Sequence, residues 1–164
     1  MFSEKHTSQS ARSWVGFVVG DVHYAVPIGA VKEIVNPAGL TPVPHVPDAV
    51  VGVVNHRGEV VPIVDLRRRF GLSPLQDGAK GKWIMLYVGG RWVGLVVDRV
   101  TEVFGSEGGK LGAPPSMGAG DEERGILGVV YHPDRLVFVL DVSEIGVLTS
   151  TLDMAAVMSA AGGR

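Results

Sequence analysis

Apolar and polar positions along this chain alternate in short runs rather than in long helical stripes. The strongest run is Val51–Leu66, VGVVNHRGEVVPIVDL, two Val- and Ile-rich stretches on either side of Asn55, His56, Arg57 and Gly58. Runs of this length bounded by turn residues read as strands, and Asn with Gly supplies turn chemistry. The stretch predicts a β-hairpin with Asn55 first and Gly58 fourth in the turn. The pattern returns without a gap at Leu127–Val142, where Gly52, Val53, Val54, His56, Val61 and Asp65 meet Gly128, Val129, Val130, His132, Val137 and Asp141. Two copies of one hairpin are expected.

In chain order, residues 1–12 read as a flexible polar arm. Trp14–Val19 and Val22–Ile28 flank a Gly20-Asp21 turn and predict a first hairpin. Gly29–Val35 fits neither a helical nor a strand period, and both remain open. Asn36–Pro47 holds four prolines, which remove backbone donors and favour extended backbone, so it reads as a surface connection. Ser73–Lys82 is polar and turn-rich. Trp83 then begins two strands about a Gly89-Gly90 turn, and on this alignment Gly20, Val31 and Glu33 meet Gly89, Val100 and Glu102. Matching order and spacing over two segments indicates internal duplication. The expectation is a mostly β chain of two similar lobes, about 13–72 and 83–148, joined by a linker at 73–82. The extra length of the second copy falls in Gly105–Gly125. Leu152, Ala155, Ala156 and Met158 are spaced as on a helix behind Ser150 or Thr151, so residues 149–164 predict a short C-terminal helical tail.

Composition narrows the function. The 164 residues, 46% of them hydrophobic, suffice for a packed interior, and 15 Lys and Arg against 17 Asp and Glu leave no large field to attract nucleic acid or an anionic membrane. No cysteine is present, which excludes disulfides and thiol chemistry. No signal-like segment or membrane span is evident, so a cytoplasmic protein without membrane insertion is expected.

Chemistry is sparse. The chain lacks a phosphate-binding Gly loop, a His-Glu-x-x-His helix and a Gly-x-Ser-x-Gly elbow, so no catalytic residue, metal site or cofactor is assigned. His56 and Asp65 stand about 30 Å apart on an extended strand at ~3.3 Å per residue, too far for a dyad. They read as a turn histidine and a strand-end aspartate that caps amides, as do His132 and Asp141. Arg57 differs, being a planar five-donor cation at a hairpin tip, where the second copy has Pro133-Asp134.

The segments YAVPIGAVKEIV, TPVPHVPDAVVGVVNHRGEVVPIVDLRRRFGL, WVGLVVDRVTEV and GILGVVYHPDRLVFVLDV together resemble the CheW-like bacterial chemotaxis coupling proteins, from about Ser13 to Leu148. The resemblance implies a non-catalytic adaptor of two SH3-like five-stranded β-barrel lobes that links methyl-accepting chemoreceptors to the regulatory domain of a CheA-type histidine kinase. It implies receptor-binding roles for Val31, Glu33, Ile34, Asn55 and Arg57, and structural roles at the hairpin for Gly52 and Gly58. His56 stands where the family commonly has leucine. Two other classes stay open: a β-barrel module holding a small molecule in a groove, and an enzyme that brings His56 and His132 together.

Overall fold

A computed structural model describes residues 13–76, 78–105, 111–113, 125–132 and 134–150, with Ser150 defined by its backbone alone. The arm, most of Gly105–Gly125, Pro133 and the tail beyond Ser150 lie outside the described residues. Ten strands are described: β1 (Ser13–Val19), β2 (Val22–Pro27), β3 (Val31–Val35), β4 (Val50–His56), β5 (Glu59–Asp65), β6 (Lys82–Val88), β7 (Arg91–Val97), β8 (Arg99–Gly105), β9 (Ile126–His132) and β10 (Arg135–Leu140). A 3₁₀ turn at Ile28–Ala30 precedes β3, which resolves the undecided Gly29–Val35 segment as turn then strand. Helix α1 is the single turn Leu66–Arg69, and α2 is Val142–Ser150.

The strands form two five-stranded sheets, in the orders β8-β1-β2-β10-β9 and β3-β6-β7-β5-β4. Each mixes antiparallel hairpins with one parallel pair, β2 with β10 and β5 with β7. The duplication is visible in the registers: Phe17 opposite Val100 repeats as Leu86 opposite Val31, and Ala25 opposite Val139 repeats as Gly94 opposite Ile63. The sheets are not the sequence-contiguous lobes 13–72 and 83–148. Each takes the opening hairpin of one repeat and the last three strands of the other.

Connector length dictates this exchange. Only Asp98 separates β7 from β8. Val97 lies opposite Lys82, and Arg99 lies opposite Val18 of β1. The position on β6 equivalent to Val18 is Tyr87, five residues beyond Lys82, so about 16 Å along the strand and two strand widths of about 4.8 Å across. Two Cα steps span no more than about 7.5 Å. Strand β8 therefore cannot pair with the hairpin it follows, and it completes the other sheet. The three-residue turn between β2 and β3 imposes the same crossing, since a 3₁₀ turn advances only about 2 Å per residue.

Burial follows the exchange. Trp14, Ala25, Phe104, Val130, Val137 and Val139 fill one sheet's concave face, and Val54, Val61, Ile63, Trp83 and Met85 fill the other's. The largest apolar cluster, including Phe17, Tyr24, Leu66, Ile84, Leu86, Leu95 and Ile145, brings together residues of both sheets. Outer edges are covered as well. Thr41, within the Pro-rich connection, exchanges two backbone hydrogen bonds with Val53 of β4 (2.8 and 2.9 Å), and Gly112 does the same with Val129 of β9 (2.8 and 3.0 Å). Gly52 is required there, because a Cβ at that residue would stand 2.4 Å from the Thr41 carbonyl oxygen.

Candidate functional site: an ionic cluster where two sheet edges meet

Strands β3 and β4 are the opposite edges of their sheet, yet the sheet curls until their side chains meet. Glu33 Oε1 and His56 Nε2 are 3.0 Å apart, and Arg57 Nη2 donates to Glu33 Oε2 at 3.0 Å. The other sheet is clasped in the same way by Glu102 of β8 and His132 of β9. This Glu–His pairing was readable in part, since both residues recur in the repeat. The histidines belong with these glutamates and not with the aspartates nine residues on. Asp65 and Asp141 do cap: Asp65 Oδ1 accepts from Arg67 N at 2.9 Å, and Asp141 Oδ1 accepts from Ser143 N at 3.0 Å. The histidines that an enzyme would bring together are tied into separate sheets.

The hairpin turn sits one residue later than the sequence reading placed it. Asn55 pairs with Val60 and His56 with Glu59, leaving Arg57-Gly58 as a two-residue turn. Its φ angles are +54° at Arg57 and +85° at Gly58, the primed turn that matches strand twist. Asn55 still serves it, because its Oδ1 accepts from Gly58 N at 3.1 Å. Arg57 thus occupies the left-handed region that disfavours a Cβ by roughly 1–2 kcal/mol. Its side chain is 70% exposed.

These contacts bring Glu33 of β3 against the hairpin that carries Asn55 and Arg57, and Val31 and Ile34 lie on the same strand as Glu33. Val31 packs partly buried against the large apolar cluster, Ile34 is 43% exposed on β3, and Asn55 and Arg57 project from the facing hairpin. The hydrogen bond from Arg57, joined by its charge and by His56, holds the Glu33 carboxyl below the usual carboxylate range against an opposing push from partial desolvation. Two residues escaped the sequence reading as parts of this site. His56 links Glu33 to the barrel, and Trp92 supports it, its ring edge-on to the imidazole at 5.6 Å. Among the described residues no cluster of three or more His, Asp or Glu could hold a metal ion, and no helix is long and apolar enough to cross a membrane.

Two five-stranded sheets, each with its edge strands joined by a Glu–His pair, define a two-lobed β-barrel fold with an exposed arginine at one hairpin tip. Residues 13–147 match the CheW-like domain, and the chain belongs to that family. It is 33% identical to chemotaxis protein CheW of Helicobacter pylori over 87% of this chain and 86% of that protein. It is 32% identical to chemotaxis protein CheW of Rhizobium meliloti over 86% of this chain and 91% of that one. Its fold matches the crystal structure of the scaffolding protein TtCheW from Thermoanaerobacter tengcongensis with a TM-score of 0.69, covering 80% of this chain and 89% of that chain at 24% identity. Membership makes the chain a chemotaxis scaffolding adaptor and not an enzyme.

Proposed function

We propose that this adaptor works in the cytoplasm, joining the signalling tips of methyl-accepting chemoreceptors to the regulatory domain of a CheA-type histidine kinase, and that Val31, Glu33, Ile34, Asn55 and Arg57 form the receptor contact. The observation that carries this reading is the convergence of β3 with the β4–β5 hairpin at the Glu33–Arg57 pair. Val31 and Ile34 lie on the same strand as Glu33, and Ile34 is 43% exposed. Arg57 gives Glu33 one of its five N–H donors through Nη2, and the Nε and Nη1 donors can meet a partner's carboxylate or carbonyl. Such charge-assisted bonds are worth roughly 1.5–3 kcal/mol each.

The test is binding of a chemoreceptor signalling-tip fragment. Arg57→Ala should weaken it at least about tenfold, since about 1.4 kcal/mol is tenfold. Folding should change by no more than about 1 kcal/mol, as for an exposed ion pair. Arg57→Lys should recover only part, because an ammonium lacks the planar fork. Arg135→Ala, in the equivalent hairpin of the other sheet, should leave binding unchanged. Equal losses at Arg57 and Arg135, or a loss at Arg57 explained by unfolding, would overturn the assignment.

A further inference from the structure

We propose that His56 is a positioning residue for Arg57, a role that rests on the receptor-contact reading above. The Glu33 carboxylate has two oxygens, one facing His56 Nε2 and the other receiving Arg57 Nη2, both at 3.0 Å. A glutamate carboxylate turns readily about its terminal torsion, so one tethered oxygen decides where the other points. His56 can act as that tether because its side chain is only 15% exposed and its ring lies edge-on to Trp92 at 5.6 Å. Trp92 in turn meets Tyr87 at 5.6 Å and packs against the cluster of Ile63, Trp83 and Met85. A continuous line of contact therefore runs from the barrel interior through Trp92, His56 and Glu33 to an arginine that is 70% exposed. The imidazole must carry its proton on Nε2 to donate to Glu33.

The duplicated pair supplies the control. His132 meets Glu102 and stacks on Phe104 with ring centroids 4.4 Å apart, so it clasps its sheet as His56 does. The residue after it in sequence is Pro133, which has no cation to position. A clasp that only closes the barrel makes the two histidines equivalent. A positioning role sets His56 apart.

The experiment measures a receptor signalling-tip fragment binding to the full chain, with thermal melts, for His56→Ala, His56→Gln, His132→Ala, Arg57→Ala and the double variant His56→Ala with Arg57→Ala. One tethering hydrogen bond corresponds to roughly a three- to tenfold loss for His56→Ala. His56→Gln, whose amide can donate towards Glu33, should restore most of it. His132→Ala should lower the melt and leave affinity unchanged, and the double variant should bind no worse than Arg57→Ala alone. Relaxation of the Arg57 side-chain Nε provides a readout that barrel closure does not move: its order should fall in His56→Ala and be retained in His56→Gln. If His56→Ala is too unstable to assay, His56→Gln with retained Arg57 order and near-wild-type affinity supports the role, and loss of either in a folded His56→Gln counts against it. Wild-type affinity in His56→Ala while Arg57→Ala binds weakly would overturn the role of His56 alone, as would losses that multiply in the double variant. Wild-type affinity in Arg57→Ala would instead overturn the receptor-contact reading beneath it.

Discussion

Asp98 alone forms the connection from β7 to β8, one of the chain's two passages between the sheets, and three donors converge on its carboxylate. Arg67 Nε gives 2.8 Å to Oδ1, Arg67 Nη2 gives 2.8 Å to Oδ2, and Gly20 N gives 2.8 Å to Oδ2. Arg67 Nη1 also donates to the Ser73 carbonyl at 2.6 Å. The two side chains are 20% and 13% exposed, so solvent screens this fork less than a surface pair. Asp98→Ala leaves the guanidinium and the Gly20 amide without that acceptor. At roughly 1.5–3 kcal/mol per charge-assisted bond, reduced because the bonds share one carboxylate, the expected loss is about 3 kcal/mol. For a domain of this size that corresponds to a fall in Tm of about 6–12 °C. Urea unfolding of Asp98→Ala, Arg67→Ala and the double variant should give a coupling energy of about 2 kcal/mol at unchanged m. A coupling below about 0.5 kcal/mol would show that the fork is incidental to the crossover.

Three further outcomes follow from the geometry. Gly52→Ala and Gly128→Ala should each cost at least about 2 kcal/mol in denaturant unfolding, because each new Cβ would lie 2.4 Å from a backbone oxygen, of Thr41 and Gly112 respectively. Equality with Gly29→Ala, where the added Cβ meets nothing within 4 Å, would refute the clash. His23 is held below the ordinary histidine value by partial burial and then by Arg135 and Arg99, so the unfolded chain binds the proton more tightly and stability should fall as pH drops through and below about 6.5. His23→Gln should flatten that part of a stability-versus-pH curve, and an unchanged slope would place its origin elsewhere. Fragments cut between Gly71 and Lys82 should be unfolded singly, because each sheet needs strands from both, and should regain strand circular dichroism and a cooperative melt on mixing. Cooperative melting of either fragment alone would contradict the strand exchange.

What the sequence disclosed and what it concealed have separate physical causes. Hairpins and turn glycines are local, so Gly20, Gly58 and the Val-rich runs announced β1–β2 and β4–β5 directly. The exchange of hairpins is not local: Trp14 and Trp83, or Val15 and Ile84, present equivalent faces, and no pattern within a strand says which copy completes which sheet. The signal lay in connector length, in the lone Asp98 between two strands. Helix α2 was hidden differently. The expected tail helix at 149–164 lies, beyond Ser150, outside the described residues, and α2 is a separate start at Val142, where Asp141 Oδ1 accepts from Ser143 N at 3.0 Å. At the site, Arg57 stood out as a cation in a turn. Its φ of +54° and its bond to Glu33 did not, since the first needs the turn register and the second needs the sheet to close.

Strand exchange also bears on how an adaptor of this shape can transmit a signal. Both passages between the sheets are short, Ile28–Ala30 and Asp98, and both run beside the shared apolar cluster. Separating the sheets would expose Phe17, Ile84, Leu86, Leu95 and Leu140, all essentially inaccessible to solvent. At about 1.5–3 kcal/mol each, these five side chains alone represent roughly 8–15 kcal/mol. Losing that much burial is large against the net stability of an ordinary domain, about 5–15 kcal/mol, so the shared cluster couples the two sheets in folding. On the receptor contact proposed above, a partner at the hairpin tip would bind a surface coupled to the far sheet through this shared cluster.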